Sequence, residues 1–331
     1  MRLVTADFAG RRFVGAWIEH DTAVLDLRNA ASLLGKDKAD VFASMESLIA
    51  AGQVVWDGAR ALVDAAPPEA IVPTTSCKIL APLPEPPQIR DFLCFEEHLL
   101  NSRRATLRMA AKAASDPEAR LAELEKAGPV PIAPVWYERP VYYNANRFGV
   151  SGPDEEILWP AYSNFIDYEL EIGAVIGKGG KDIPAAEARS HIFGYTIFND
   201  WSARDLQMRV MEARLGPGKG KDFDSGNGLG PCIVTADEIS DPYALTMVAR
   251  VNGVEWSRGS SGGMYHKFED CIAEASRDQT IRPAEIFGSG TVGSGCGWEH
   301  GKSLADGDLV ELEVEGIGIL RNRVVCRKPI A

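Results

Sequence analysis

The stretch Ile166-Asp167-Tyr168-Glu169-Leu170-Glu171-Ile172-Gly173-Ala174-Val175-Ile176-Gly177 decides how this chain is read. Its apolar residues alternate around two glutamates, the pattern of a strand. Residues two apart in a strand point to the same face. Glu169 and Glu171 are therefore expected side by side, with Tyr168, Leu170 and Ile172 on the opposite face. Adjacent carboxylates repel, and a partly buried charge is costly unless paired. A hard divalent cation relieves that conflict, and all-oxygen ligation suits Mg2+, Mn2+ or Ca2+. A second apolar run, Ile192 to Phe198, leads to Asp200, a third carboxylate at a strand end. A solvated acidic face is the plainer alternative. The similar alternation from Asp308 to Gly316 shows that the pattern alone is not specific.

The 331 residues suffice for one large or two ordinary domains, and 45% apolar with 25% charged residues fits a globular protein. A net charge of −12 argues against a nucleic-acid partner and against an anionic membrane surface. No apolar run approaches a membrane span, and the first residues lack a signal-peptide core. Six scattered cysteines form no C-x-x-C pair, so free thiols in a reducing, cytoplasmic compartment are expected.

Short strands are expected at Arg2–Ala6, Arg12–Ile18 and Ala23–Leu27, then helices over Asp40–Ala51 and Trp56–Ala66. Pro67, Pro68 and Pro73 mark a boundary, giving a small N-terminal domain over 1–74 and a larger one over 75–331. Two helices over 99–128 follow His98, the second capped by Ser115 or Asp116 and closed by Gly128, and they are placed to form a lid. From Trp136 the chain is strand-rich. It is interrupted by a helix opening at Ser202, with Asp205 completing a capping box, and by another from Lys267 to Ser276.

The pieces Asp167-Tyr-Glu-Leu-Glu171, Asn199-Asp-Trp-Ser-Ala-Arg-Asp-Leu-Gln207, Gly220-Lys-Asp-Phe-Asp-Ser225 and Gly288-Ser-Gly-Thr-Val-Gly293 occur in this order. Together they make the chain, from about Lys78 onward, resemble the fumarylacetoacetate hydrolase family. The resemblance implies an α+β fold, mostly mixed β, with a β-roll or sandwich of the fumarylacetoacetase C-terminal type behind a small N-terminal α+β domain. It also implies a homodimer.

Family members with an Asp-Phe and a His at the spacing of Asp91 and His98 use the aspartate as metal ligand and the histidine as general base. The resemblance thus implies a metal shell of Asp91, Glu169, Glu171 and Asp200 for Mg2+, or for Mn2+ or Ca2+. Asp91 is the ligand that shorter members lack, and its plainer role is a salt bridge with Arg90. A base needs an orienting carboxylate. Glu299 matches the family's partner glutamate, whereas short members carry theirs three residues after the histidine, where this chain has Asn101. Lys221 matches a lysine that stabilises an enolate, and Gln207 and Thr291 match substrate-contacting residues. Leu93 and Met211 replace two substrate-contacting tyrosines, so a more apolar distal pocket is expected. Arg104 and Arg108 are the nearby candidates for a cation on the lid.

The expected activity is therefore metal-dependent hydrolysis of a carbon–carbon bond in a β-diketo acid, such as an acylpyruvate or a relative of fumarylacetoacetate. In it, His98 activates the water. The alternatives are decarboxylation or tautomerisation of a 2-oxo acid on the same metal site, and, from another class, non-catalytic binding of a metal or small acid.

Overall fold

A computed structural model describes residues 1–36, 39–112, 114–126, 128 and 131–326. Among them, a twelve-stranded sheet runs along the order Ile71–Pro73, Ala23–Asp26, Arg11–Ile18, Arg2–Phe8, Asn227–Thr235, Ile192–Asp200, Leu170–Ile176, Ile286–Gly288, Ile89–Phe92 and Tyr142–Ala145, with Lys78–Leu80 paired to Arg2–Phe8 and Val150–Ser151 to Asn227–Thr235 off this path. The N-terminal strands join the rest of this sheet where Leu3 pairs with Ile233. A five-stranded sheet orders Val254–Ser260, Thr246–Val251, Leu309–Val314, Gly318–Cys326 and Glu156–Trp159.

Strand alternation sorts the side chains into two cores. Leu170, Ile172, Ala174 and Ile197 face Met247, Ala249 and Leu312 of the second sheet. Val175, Phe193, Phe198 and Ile233 face the other way, onto a helical layer that contributes Leu27, Leu48, Ile49 and Leu62. The molecule is thus a mixed α+β structure with helix, sheet and sheet in layers. No helix among the described residues is long and apolar enough to cross a membrane.

Register carries the acidic residues to one place. Residues paired on neighbouring strands share a face. Glu171 pairs with Phe198, and one further step of that register sets Glu169 opposite Asp200. Gly173 pairs with Gly288, Gly288 with Asp91, and Asp91 with Tyr143. All therefore lie on the helix-side face, at the end where the apolar lining stops. Tyr168 points the other way, as expected, and its hydroxyl meets Ser257 Oγ at 2.6 Å.

Three local expectations are corrected. The strand beginning at Ala23 ends at Asp26, whose side chain caps a helix over Leu27–Leu33 that the sequence reading missed. Ser202 does not cap a helix. Ser202–Ala203 pairs with Ile166–Asp167 as a short strand, the Ser202 hydroxyl donates to the Asp200 carbonyl at 3.0 Å, and the helix spans Arg204–Met211. The first lid helix starts earlier than expected, at Glu96, so His98 lies in its first turn. The second spans Pro117–Lys126. Asp116 caps it by accepting the Ala119 N–H at 3.0 Å, and Gly128 closes it at φ +84°.

Gly288 is required at the crossing of these strands. A Cβ there would lie 2.8 Å from Asp91 Oδ1 and 2.7 Å from the Phe198 ring. Overpacking of this kind costs about 1–3 kcal/mol. Gly288→Ala is expected to lower the denaturant midpoint with an unchanged slope, whereas Gly253→Ala, where nothing approaches the added carbon, tests the separate cost of a positive φ.

Candidate active site

Strand ends and two loops build the site from the sheet outward. Asp91 lies one residue before the end of the Ile89–Phe92 strand, Glu171 lies near the start of Leu170–Ile176, and Asp200 ends Ile192–Asp200. One carboxylate oxygen from each of the three lies within 4.8 Å of the other two. All three residues are buried, and Asp91 Oδ1, Glu171 Oε1 and Asp200 Oδ1 have no hydrogen-bond partner. Burial, and next the charge of Asp200, push the Asp91 carboxyl well above the ordinary range. Burial, with Asp91 next, does the same to Glu171. Unpartnered buried carboxylate oxygens converging in this way fit a hard cation.

Glu169 faces the same space in a different state. Its Oε1 accepts Arg204 Nη1 at 2.6 Å and its Oε2 accepts Lys221 Nζ at 2.5 Å. Burial opposes its ionisation, but Lys221, Arg204 and His98 outweigh that and hold it well below the ordinary range. Lys221 also donates to Asp200 Oδ2 and, at 3.3 Å, to the Asp200 carbonyl. Burial works against this ammonium, but Asp200 and Glu169 raise it well above its ordinary value, so it stays charged. Of the four expected ligands, three offer a free oxygen, and the fourth neutralises two cations. The alternative partner weighed for Asp91, Arg90, is turned away and meets Glu285 at 3.3 Å.

His98 and Glu299, 201 residues apart, meet with Nδ1 and Oε1 2.7 Å apart. The other glutamate oxygen accepts the Ser294 N–H at 2.8 Å. Burial would raise Glu299, but the hydrogen bond and charge of His98 lower it. His98 Nε2 lies 3.4 Å from Ser102 Oγ. Asn101 reaches Ser294 Oγ at 3.4 Å, on the loop that holds Glu299.

A cavity of about 380 Å³ is lined by Asp91, Glu169, Glu171, His98 and Lys221. Gln207 lines it and accepts Arg204 Nη1 at 3.1 Å. Thr291 lines it from the loop after Ile286–Gly288, where Gly290 donates its N–H to Glu171 Oε2 at 2.9 Å. A Cβ on Gly290 would meet the Phe92 carbonyl at 2.5 Å, so glycine lets this loop close against the strand. Leu93 and Met211 also line the cavity, with Leu99, Val141 and Met208. Arg104 does not reach it. Arg108 is spent on the Glu299 carbonyl at 3.3 Å.

Three residues at the site escaped the sequence reading. Tyr143 donates to Asp200 Oδ2 at 2.8 Å. Arg204 joins Glu169 to Asp167, meeting Asp167 Oδ2 through Nε at 2.9 Å and Nη2 at 2.8 Å. Asp167 also accepts the Gly297 and Trp298 N–H groups, each at 2.9 Å, which fixes the turn before Glu299. An arginine and an aspartate inside the quoted motifs were the available signal.

The family model described as fumarylacetoacetate (FAA) hydrolase C-terminal matches residues 90–325. The mitochondrial oxaloacetate tautomerase FAHD2A of Homo sapiens is 37% identical over 193 residues, 57% of this chain and 60% of that protein. The matched part thus spans about three fifths of that relative's length. Oxaloacetate tautomerase YisK of Bacillus subtilis is 28% identical over 98% of this chain and 100% of its own. The solved fumarylacetoacetate hydrolase from psychrophilic Exiguobacterium antarcticum is 25% identical, with a TM-score of 0.71 over 99% of this chain and 100% of its own.

Asp167 is the anchor whose loss is easiest to read. Asp167→Ala leaves Arg204 with one buried carboxylate and frees the Gly297–Trp298 turn. Breaking a buried pair from one side costs about 3–5 kcal/mol. A drop of that size in unfolding free energy is expected, whereas a change under about 1 kcal/mol would remove Asp167 as the anchor.

Proposed function

The chain belongs to the fumarylacetoacetate hydrolase family, and on that premise we propose a divalent-metal-dependent enzyme that moves a proton on a small 2-oxo acid, interconverting keto and enol forms of an oxaloacetate-like substrate. The carrying observation is that His98, paired with Glu299, lines the same cavity as Asp91 and Glu171, whose carboxylates cluster with that of Asp200. The family includes hydrolases, isomerases and tautomerases of small acids, and the full-length match to a bacterial oxaloacetate tautomerase favours the tautomerase.

Asp91, Glu171 and Asp200 would hold Mg2+ or Mn2+, with Glu169 next to them. A bound ion supplies Lewis-acid polarisation of the substrate's oxygens. The chain's own residues do the rest. With its Nδ1 proton directed at Glu299, His98 presents the Nε2 lone pair to the cavity. That nitrogen takes the proton from the carbon next to the carbonyl and returns it to oxygen. Glu299 stabilises the imidazolium formed in between. Lys221 provides fixed positive charge near the enolate oxygen. Gln207 and Thr291 position the acid, and Leu93 and Met211 line its far end.

Carbon–carbon bond hydrolysis is the second reading. The apolar wall of Leu93, Leu99, Val141, Met208 and Met211 leaves room for an acyl tail that oxaloacetate lacks, and the Exiguobacterium relative is named a fumarylacetoacetate hydrolase. In that reaction His98 takes its proton from water instead.

Loss of enol absorbance of oxaloacetate, followed with and without Mg2+ or Mn2+, tests the first reading. His98→Gln is expected to slow it by roughly 10²–10⁴-fold while metal affinity, measured by calorimetry, is retained. If the native enzyme leaves the enol rate unchanged but cleaves acylpyruvates with short apolar tails, hydrolysis is the reaction.

The raised carboxyls give a second test. A carboxyl whose folded pKa lies above its unfolded value contributes stability that is complete below the unfolded value, and loses it as pH rises through the raised one. Metal-free protein is therefore expected to lose stability over that window because of Asp91 and Glu171. At neutral pH without divalent ions, Glu171→Gln is expected to raise Tm by a few degrees. Saturating Mg2+ should raise the Tm of the native protein much more than that of the variant. An equal rise in both would remove Glu171 from the metal shell.

A further inference from the structure

Cys296 is a buried thiol that the proposed chemistry does not use, and it lies beside the His98–Glu299 pair. Its backbone bridges to Glu169, and its Sγ lies 3.4 Å from Glu299 Oε1, the oxygen that meets His98 Nδ1. One ligand atom each from His98, Cys296 and Glu299 falls within 4.8 Å of the others. Ala105 of the lid helix and Trp298 pack over the thiol. The donor set is sulfur, nitrogen and oxygen, whereas the neighbouring cluster of Asp91, Glu171 and Asp200 is oxygen alone. Thiolate with imidazole selects zinc-like ions, and three protein ligands leave the fourth tetrahedral position open.

We propose that His98, Cys296 and Glu299 form a second, inhibitory metal site that captures Zn2+ and switches the enzyme off. The binding half rests on the geometry above; the inhibition rests on the role proposed for His98.

The exchange balances. Zn2+ takes the His98 Nδ1 lone pair, a Glu299 oxygen and the Cys296 sulfur. The thiol releases its proton to solvent. The imidazole stays neutral, but its proton has to move from Nδ1 to Nε2. Nε2 then carries a hydrogen and has no lone pair left to receive a substrate proton. The ion is formally neutralised by one thiolate and one carboxylate. Capture needs a widening of the 2.7 Å contact between His98 and Glu299 and a local opening of the packing of Ala105 and Trp298 over the thiol. Mg2+ gains little from sulfur and is expected to leave this trio alone.

The test uses the full chain saturated with Mg2+. Zn2+ added to about one equivalent is expected to abolish activity. In Cys296→Ser, active with Mg2+, the zinc needed for half-inhibition should rise at least roughly tenfold, the scale of losing support in a metal site. Independently of activity, one equivalent of Co2+ added to the Mg2+-saturated native protein should give a thiolate-to-cobalt charge-transfer band in the near ultraviolet. That band should be missing in Cys296→Ser and in Cys296→Ala. Inhibition of equal strength in native protein and variant, or no thiolate band in the native protein, overturns the proposal, since zinc then acts at the all-oxygen cluster. If the enzyme proves inactive on every acid tried, the Co2+ band still decides whether the site exists. A cobalt-thiolate band without inhibition overturns the switch.

Discussion

Asp91, Glu169, Glu171 and Asp200 are buried close together, and the rest of the structure is arranged to tolerate that. Four carboxylates within reach of one another, out of water, repel by more than a small domain's margin of stability allows. The fold divides the load. Glu169 is neutralised by Arg204 and Lys221, both buried and both held in their charged forms. The other three keep one oxygen each without a partner. One half of the site is electrostatically closed, and the other is left open to a cation. Lys221 touches Asp200 across the divide, so either half senses the other.

This division explains the backbone requirements nearby. Acids can gather only where side chains are removed from the space between them. Gly173 and Gly288 face each other across the sheet at that point, and Gly290 lets its loop press onto Phe92. Asp167 then ties the last piece, the turn at Gly297–Trp298, to the same arginine that holds Glu169. Glu169 and the His98–Glu299 pair are therefore linked through the buried Arg204–Asp167 ion pair rather than merely being neighbours.

Much of this was legible because it is local or periodic. A period of two placed Glu169 and Glu171 on one face, and the short polar residue with proline at Asp116–Pro117 marked a helix start that the Ala119 N–H confirms. What escaped depends on distant pairing. The Leu27–Leu33 helix is a seven-residue segment joined directly to a strand, too short to show a period. Ser202 looked like a cap, but its backbone is claimed by Ile166–Asp167, a partner that local sequence does not reveal. Tyr143 reaches Asp200 only because its strand pairs in register with Asp91. Arg204 and Cys296 are single residues whose roles come from what the fold brings to them.

The separation between His98 and Glu299 has a kinetic consequence. His98 lies in the first third of the chain and Glu299 near the end, and Asp91 reaches its register through a parallel pairing with Ile286–Gly288. Contacts of such high sequence separation form late, because the intervening loop must close before any interaction compensates. During synthesis the strands carrying Asp91, Glu171 and Asp200 emerge before the Ile286–Gly288 strand, which sits between Ile89–Phe92 and Leu170–Ile176. A nascent or proteolytically shortened chain lacking the last segment has no strand to bring Asp91 alongside Glu171. The contact between His98 and Glu299 can therefore form only after the Ile286–Gly288 strand has emerged.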